Sequence, residues 1–563
     1  MQWTEAVFLL LMLVALARPV GLYLARVCER RRTFLDPLLH PFESLLYRLL
    51  GVRPEQEMRA PIYILSFVLF GAGSAIVLFL VLLLQRWLPG GPATPYLTTP
   101  MTPDLAANIA VSFTTTTTWQ AYAGENTLHY FTQVVGLVAQ NFLAAAAGLA
   151  CGFAFIRGLA RERTATIGNF WVDLVRSLLY VLLPLAFIGS LILVWQGVPL
   201  NLAHYTVAHT LEGKEQVIAQ GPIAALEFIK NLGTNGGGFF NANGAHPYAN
   251  PTPLTNFLGM LAIAVLPASL MVTLGHITGR QQAGWVLLTV MIALFIAGFA
   301  ICDWAETAPP SQLAGMHIDG PNMEGKEVRF GVNGSVLTAI VTSNTSTGSY
   351  NAMYDSFQPI GVLVPLVFML LGEVVFGGLG TGIYSIVMVA LVGVFLGGLM
   401  VGRTPEYLGK KISALETRWI ALYALLSSTT VLLLSAIAVV TRVGRAGLIT
   451  NTGSRGFTEI LFTYASCVAN NGQAMAGVSA NSVFYNVTTS IAMLVGRYGL
   501  AALALALAGR LAAQRRLPIT AGTLPSDSPT FGALVFCTIL LVGALSFLPA
   551  LALGPILEFL QQH

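Results

Sequence analysis

The chain has 563 residues, of which 55% are hydrophobic and only 10% are charged, whereas a soluble protein carries about 25% charged residues. This composition excludes a soluble globular protein and predicts a polytopic membrane protein. The net charge of +4 gives no indication of nucleic-acid binding. The five cysteines form no CxxC pair, so neither a disulfide framework nor a zinc site is indicated.

Ten apolar stretches are long enough to cross a bilayer, which takes about 20 apolar residues in a helix. The first is predicted to remain as a helix, because no small-residue cleavage site precedes the basic cluster that follows it. The seventh is too long for one simple helix and contains a glycine-rich interruption, Gly372–Gly382. The predicted spans are Trp3–Ala25, Ile62–Leu84, Leu128–Ile156, Phe170–Trp195, Leu254–Ile277, Trp285–Cys302, Ile360–Met400, Ile420–Val440, Val483–Ala508 and Phe531–Leu553.

The lysines and arginines concentrate in alternate loops, beginning with the cluster between the first and second spans. The loops that are richer in these residues are expected to face the cytoplasm. Both termini are then predicted to lie on the extracytoplasmic side of the membrane.

Four apolar runs between the spans are too short to cross the membrane, and each is followed at once by a polar turn on the predicted outer side. The runs are Leu105–Phe113, Ile223–Ile229, Val336–Val341 and Ile460–Val468, and the turns read "TTTTTWQ", "GTNGGG", "SNTSTGS" and "ANNGQ". The repeating unit is therefore a span, a half-helix, a polar turn and a span. The predicted division is a first span with a basic segment (1–60), four repeats (61–165, 166–280, 281–415 and 416–515), and a last span with a tail (516–563).

The repeat has a specific physical meaning, because non-helical backbone at membrane depth is tolerated only where protein or a water-filled cavity covers it. Four turns around one axis would place their carbonyl groups in a ring, and such a ring can replace the hydration shell of an alkali cation. Half-helices with their C-termini towards the axis would add negative partial charge. Ordinary outer loops would explain any one of these turns, but four in register favour a cation-binding surface.

Six stretches carry a resemblance to a known family: "WQAYAGENTLHYFTQ", "GTNGGGFFNANGAHPYANPTPLTN", "YDSFQPIGVLVPL", "GEVVFGGLGTG", "GRTPEYLGKKI" and "NNGQAMAGVSANSVFYN". On these residues the chain resembles the potassium-binding A subunits (KdpA) of the bacterial Kdp potassium-transporting P-type ATPase. The resemblance implies an all-α membrane protein of the potassium-channel-like transporter superfamily, with four pseudo-symmetric helix–pore-loop–helix repeats. It also implies K+ as the transported ion, and a complex with a P-type ATPase catalytic subunit (KdpB) and small membrane subunits (KdpC and KdpF).

The resemblance assigns the potassium filter to Thr116–Gln120, Thr234–Gly236, Ser346–Gly348 and Asn470–Gly472. Where the family often has Asn, this chain has Thr116, Thr118 and Ala469, and where the family often has Cys it has Thr347. These differences matter little if backbone carbonyls coordinate the ion, and affect selectivity if side chains do. The expected potassium ligands are Thr116, Thr117, Thr118, Thr234, Asn235, Gly236, Ser346, Thr347, Gly348, Asn470, Asn471 and Gly472.

Further residues are predicted to act around the filter. Gly378 and Gly380 lie in the interruption, where a broken helix could gate the pore, although a plain packing kink is an alternative. Glu373 and Arg497 are ionisable residues within spans, which makes them functional candidates for gating or coupling, unless they form a structural ion pair. Gln120 and Glu125 are assigned to the vestibule, where Glu125 would attract cations unless it is merely solvated.

Other classes of function have less support in the sequence. The chain has no GxxxxGK[ST] motif, no Asp-Lys-Thr-Gly signature and no soluble segment large enough for a nucleotide domain, so we do not expect it to be an enzyme on its own. An intramembrane enzyme with Glu373 or His246 as a base would need a nucleophile or metal constellation, and none is visible. A stand-alone potassium channel or ion-coupled potassium transporter stays open, because only the resemblance indicates an ATPase partner.

Overall fold

Ten long apolar helices dominate the computed structural model, which describes residues 3–88, 97–310, 320–372, 374–402, 405–518 and 524–562. These helices confirm the prediction of a polytopic membrane protein with ten spans. The third span begins at Thr132 rather than at Leu128, because Leu128 has an extended backbone after the short helix Gly124–Thr127. The spans are Thr4–Cys28, Ala60–Trp87, Thr132–Ala160, Phe170–Trp195, Pro253–Ile277, Gln281–Thr307, Thr381–Met400, Ala414–Val440, Val483–Ala513 and Pro529–Leu553.

The long apolar stretch Ile360–Met400 forms two helices, Pro359–Leu370 and Thr381–Val401. The described residues of the glycine-rich interruption, 371, 372 and 374–380, are therefore irregular, as predicted, but the interruption ends two residues earlier than expected. The reason is that the Gly378 carbonyl already accepts the N–H groups of residues 381 and 382, which begins the second helix.

Four shorter helices end where the polar turns begin, and we call them pore helices 1 to 4. They contain 10 to 16 residues, which at 1.5 Å per residue is too short to cross a bilayer. Each contains the apolar run predicted for it. The pore helices are Pro103–Thr114, Ile223–Leu232, Gly331–Asn344 and Gly453–Val468.

The core surrounds the pore helices, whose C-terminal turns are almost entirely buried. The third and fifth spans are also mostly buried, whereas the second span exposes side chains such as Leu65, Leu69 and Ile76. Exposed leucine and isoleucine are expected where a helix faces lipid acyl chains instead of water. The fold therefore has an inner group of pore helices and spans inside an outer layer that faces the bilayer.

Three spans contain a π-helical turn: Thr132–Val138, Ser177–Leu182 and Val495–Gly499. The α-helical parts beside these turns are Ala139–Ala160, Phe170–Arg176, Leu183–Trp195, Val483–Leu494 and Leu500–Ala513. The second span is α-helical over Ala60–Leu84 and ends in the 3-10 turn Gln85–Trp87.

Short elements connect the spans and pore helices. Among them, the amphipathic helix Asp36–Leu50 is fixed by Glu43, whose carboxylate accepts hydrogen bonds from Arg176 (3.0 Å) and Tyr180 (2.7 Å). The other helical turns are Asn243–Ala245, Tyr354–Ser356, Arg442–Arg445 and Pro555–Gln562. Antiparallel strand pairs join Met58–Arg59 to Thr166–Gly168, Thr206–His209 to Glu215–Ile218, and Glu406–Tyr407 to Lys410–Lys411.

Candidate functional site

The turns after the four pore helices share one backbone conformation, and we call residues 116–118, 234–236, 346–348 and 470–472 filter loops 1 to 4. In each loop the first and third residues have positive φ and the second does not. A non-glycine residue in this conformation costs roughly 1–3 kcal/mol and persists only where the surrounding structure holds it, so a cluster of such residues marks a candidate functional site. The non-glycine residues concerned are Thr116, Thr118, Thr234, Ser346 and Asn470, with φ of 45° to 62°.

The amide groups of the filter loops point back towards their own pore helices. The N–H of each second residue donates to the carbonyl five residues earlier. Because N–H and C=O of a trans peptide point in opposite directions, the carbonyl of each first residue points away from its pore helix. These hydrogen bonds are Thr117 to Ser112 (3.0 Å), Asn235 to Lys230 (2.8 Å), Thr347 to Thr342 (3.1 Å) and Asn471 to Ser466 (2.9 Å).

The four loops contact one another in a closed ring, in which the third residue of each loop meets the central carbonyl of the next. A Cβ atom on Gly236 would lie 1.7 Å from the Thr347 oxygen. The same construction gives 2.1 Å from Gly348 to the Asn471 oxygen and 2.0 Å from Gly472 to the Thr117 oxygen. Three contacts of the ring therefore leave no room for a side chain.

The fourth contact of the ring is different, because Thr118 occupies the position that is glycine in the other loops. Its hydroxyl donates a hydrogen bond to the Asn235 carbonyl of loop 2. This contact is therefore a side-chain hydrogen bond, and it closes the ring between loops 1 and 2.

Several side chains that the sequence offers as ion ligands hold the loops in place. The Ser346 hydroxyl donates to the Ala469 carbonyl, and the Asn470 amide donates to the Thr117 hydroxyl at 2.9 Å. The Thr234 hydroxyl accepts the Leu379 N–H at 2.7 Å. Backbone carbonyls are therefore the groups that the loops can present together to a cation, while these side chains fix the spacing.

The irregular segment 371–380 lies directly against filter loop 2 and pore helix 3. Besides the bond from Leu379 to Thr234, the Gly377 N–H donates to the Asn344 carbonyl at 3.2 Å. On its other side, Gly380 has φ of 86°, and a Cβ there would lie 1.9 Å from the carbonyl oxygen of Gly148 in the third span. The segment is therefore packed between the ring and the third span.

The predicted gate and coupling residues are only partly brought together. Gly380 and Arg497 both adjoin Gly148: a Cβ on Gly148 would lie 2.7 Å from Nη2 of Arg497 and 2.6 Å from the carbonyl oxygen of Leu379. Gly378 lies two residues before Gly380, and its carbonyl accepts the N–H groups of Thr381 and Gly382 in the first turn of the following helix. Glu373 lies outside the described residues, so its predicted roles and its ion pair with Arg497 stay predictions.

Arg497 is buried in the π-helical turn of the ninth span. Its Nη2 donates to the Ala144 carbonyl at 2.9 Å, and its Nε has no hydrogen-bond partner in the part of the chain that the structure describes. The neighbouring Gly496 brings this span against pore helix 4, since a Cβ there would lie 2.0 Å from the Val468 carbonyl oxygen. A permanent positive charge is therefore held next to filter loop 4 and segment 371–380.

The two predicted vestibule residues connect the stretches that follow loops 1 and 2. The Gln120 side chain donates to the Gly238 carbonyl and accepts the Gly238 N–H, both at 3.0 Å. The Glu125 carboxylate accepts the Asn241 N–H at 3.0 Å. Burial raises the pKa of Glu125, and its backbone hydrogen bonds oppose that rise. Neither side chain is merely solvated.

His246, which the sequence left open as a base, packs against an aromatic ring. Its imidazole stacks on Phe240 with ring centroids 3.6 Å apart, and its Nδ1 accepts the Tyr248 N–H at 3.2 Å. Burial, together with the positive charge of Arg329, lowers the pKa of His246 to about 4. The ring is therefore neutral at physiological pH and has a packing role.

Two adjoining cavities lie beside the end of pore helix 4. The smaller touches Ala469 and Gly496, and the larger, of ≈ 60 Å³, lies among the seventh, eighth and tenth spans. Most of the lining is apolar, but the Ser385 and Tyr423 hydroxyls lie 2.7 Å apart at the junction. The residues that line both cavities are Gly372, Ser385, Tyr423, Ser427 and Leu500.

One buried ion pair next to the ring was not identified from the sequence. Lys230, at the end of pore helix 2, is fully buried, and its Nζ lies 2.8 Å from Oε2 of Glu227. The signal was present, because the two opposite charges lie three residues apart in the otherwise apolar run "LEFIKNL", which puts them on one face of a helix.

Comparison with known protein families gives a match that extends almost from end to end. The family model described as potassium-transporting ATPase A subunit matches residues 7–560. The match therefore includes all four pore helices and all four filter loops.

Three similar proteins carry the name potassium-transporting ATPase potassium-binding subunit. The protein of Acidobacterium capsulatum is 48% identical over 97% of this chain and 95% of its own length. That of Methylobacterium nodulans is 48% identical over 99% of this chain and 97% of its own. That of Bradyrhizobium diazoefficiens is 46% identical over 100% of this chain and 98% of its own.

Proposed function

Because the chain belongs to the family of potassium-transporting ATPase A subunits, we propose that it is the potassium-binding and translocating subunit of an ATP-driven, high-affinity potassium uptake complex. The closed ring of four filter loops carries this proposal. The sign of φ alternates along each loop, and the N–H groups donate back to their own pore helices, so carbonyl groups point away from these helices. A ring of carbonyls can replace the water around K+. The C-termini of the pore helices add roughly half a negative charge each.

The chain itself supplies binding and conduction, and ATP hydrolysis belongs to a P-type ATPase subunit (KdpB) in the same complex. Small membrane subunits (KdpC and KdpF) complete it, and the filter faces the outside of the bacterial inner membrane. The two adjoining cavities beside the end of pore helix 4 support a route by which K+ leaves the ring within the membrane towards the ATPase partner. Arg497 beside that region opposes direct passage of K+ to the cytoplasm.

The test is reconstitution into vesicles with the partner subunits and without them. We expect K+ uptake against a gradient only with ATP and the full complex, with ATP hydrolysis stimulated by K+. Passive K+ flux at channel rates through the isolated chain would favour the alternative of a stand-alone channel. Uptake that follows a proton or sodium gradient would favour an ion-coupled transporter.

We expect Gly380→Ala to slow transport at least fivefold while the K+ concentration for half-maximal ATPase activity changes less than twofold. The added Cβ would meet the Gly148 carbonyl at 1.9 Å, so segment 371–380 must shift against the third span, whereas Gly380 makes none of the contacts between the four loops described above. Gly397→Ala in the following helix is the control, since its Cβ would meet only Leu534 at 3.5 Å. Wild-type turnover in Gly380→Ala, or an equal loss of affinity, would contradict a gating role.

A further inference from the structure

A chain of buried polar groups connects Lys230 to filter loop 2. The Lys230 ammonium is paired with Glu227 and also donates to Oδ1 of Asn243 at 2.6 Å. The Asn243 amide in turn donates to the carbonyl of Gly237 at 2.7 Å. Gly237 directly follows filter loop 2, so this series of hydrogen bonds ends on the carbonyl group next to the loop.

Lys230 also holds the loop through its own backbone. Its carbonyl oxygen accepts the N–H of Asn235 at 2.8 Å and that of Gly236 at 3.1 Å. Lys230 therefore fixes the amide groups inside loop 2 through its own carbonyl and, through Asn243, the Gly237 carbonyl that follows the loop in the polypeptide; we call such a carbonyl the exit carbonyl of its loop. Asn243 adopts a left-handed backbone (φ 52°), a conformation that asparagine tolerates better than most residues.

The pseudo-symmetry of the ring shows that this arrangement is peculiar to loop 2. The carbonyl that accepts the central N–H belongs to Ser112, Lys230, Thr342 and Ser466 in loops 1 to 4. Three of these residues have a small hydroxyl. In loop 1 the Ser112 hydroxyl reaches the exit carbonyl of Trp119 directly at 2.9 Å, whereas loop 2 makes the equivalent connection through a charged side chain and Asn243.

We propose that Lys230 is a specificity-determining positioning residue: with Glu227 and Asn243 it fixes the exit carbonyl of loop 2 and so sets the ion preference of the ring. The proposal rests on the proposed function of the ring as a potassium filter. Discrimination between cations of similar size depends on where the carbonyls are held. By fixing the position of one carbonyl, Lys230 therefore affects which cation binds, without contacting the cation itself.

Two sets of variants test this in the complete complex. Glu227→Gln with Lys230→Met removes both charges together and leaves no unpaired buried ion. Asn243→Gly keeps the ion pair and permits the left-handed backbone, but deletes the amide that reaches Gly237. The readouts are the K+ concentration for half-maximal ATPase activity, the ratio of that value for Rb+ to that for K+, and the melting temperature.

The matched control is Glu306→Gln with Lys326→Met. This pair is also fully buried, with Nζ and Oε2 2.8 Å apart, but Lys326 lies over the Phe357 ring and donates to the carbonyl of Glu324, which belongs to none of the four loops. The control double variant removes the same two charges, one positive and one negative, from the third repeat. Effects of charge removal alone should therefore be equal in the two double variants.

We expect both sets of variants at loop 2 to raise the half-maximal K+ concentration at least tenfold and to shift the Rb+ to K+ ratio at least threefold, while the control keeps wild-type values. Wild-type affinity and ratio in Asn243→Gly would overturn the proposal, even if the double variant fails to assemble. Equal shifts in the control would overturn it as well. Failure of the proposed function is a separate result, since wild-type complex would then show no stimulation by K+.

Discussion

Replacing Gly236 by alanine is expected to raise the K+ concentration for half-maximal ATPase activity at least tenfold and to weaken the preference for K+ over Rb+. The new Cβ would lie 1.7 Å from the Thr347 carbonyl oxygen, so loop 3 must move away from loop 2. Gly236 also has φ of 75°, which costs an alanine about 1–2 kcal/mol. A tenfold loss corresponds to about 1.4 kcal/mol, so the backbone cost and the clash with the Thr347 carbonyl together are sufficient.

The control for Gly236→Ala is Gly453→Ala, at the start of pore helix 4. Gly453 has φ of 64°, but a Cβ there meets no atom within 4 Å. It therefore reproduces the backbone cost without the clash, and we expect less than a twofold change in K+ affinity. Gly348→Ala and Gly472→Ala should resemble Gly236→Ala. Unchanged affinity and ion preference in Gly236→Ala would remove this residue from the site.

Replacing Arg497 by glutamine is expected to uncouple ATP hydrolysis from uptake and to increase passive K+ leakage at least fivefold. At an effective dielectric constant of 20, a unit charge about 10 Å away opposes a cation by roughly 1.7 kcal/mol, or more than tenfold in occupancy. Arg497→Lys keeps the charge and should keep coupling. The measurements are K+ efflux from loaded vesicles without ATP, and the ratio of ions moved to ATP hydrolysed.

A structural role for Arg497 predicts a different pattern. If the guanidinium mainly neutralises Glu373, Arg497→Gln should lose folded protein, and a second substitution, Glu373→Gln, should restore it. If the charge acts on the ion path, the double variant should fold and still leak. A well-folded Arg497→Gln complex with wild-type coupling and ion retention would refute the functional interpretation.

Much of the architecture could be predicted because membrane insertion leaves a strong signal in the sequence. Apolar stretches of sufficient length identified the ten spans, and shorter apolar runs before polar turns identified the pore helices. The glycines of 372–382 identified the broken helix, since each costs a helix about 1 kcal/mol relative to alanine. The structure corrected a boundary here, since Thr381 is helical: the Gly378 carbonyl accepts the N–H groups of residues 381 and 382, and these hydrogen bonds decide where the helix begins.

The contacts between the loops could not be predicted in the same way. Nothing local in the sequence states that Gly236 meets Thr347, or that Gly380 meets Gly148, because these partners are brought together only by the packing of distant spans. The role of the Lys230 side chain could not be predicted either, because its connection to the loop passes through Asn243. Glycine content indicated where backbone freedom is needed, while the identity of the opposing atom depends on the whole fold.

The unequal contact at Thr118 has a consequence for how such a ring can change in evolution. In a pore built from four identical subunits, one substitution appears four times, so a cost of roughly 1 kcal/mol per contact becomes about 4 kcal/mol if the contacts are independent. Here all four loops belong to one polypeptide, and a mutation alters a single quadrant. A threonine hydroxyl between loops 1 and 2 can thus coexist with three glycine contacts. Because the four loops lie in one polypeptide, each contact can change separately, in smaller steps than a homotetramer allows.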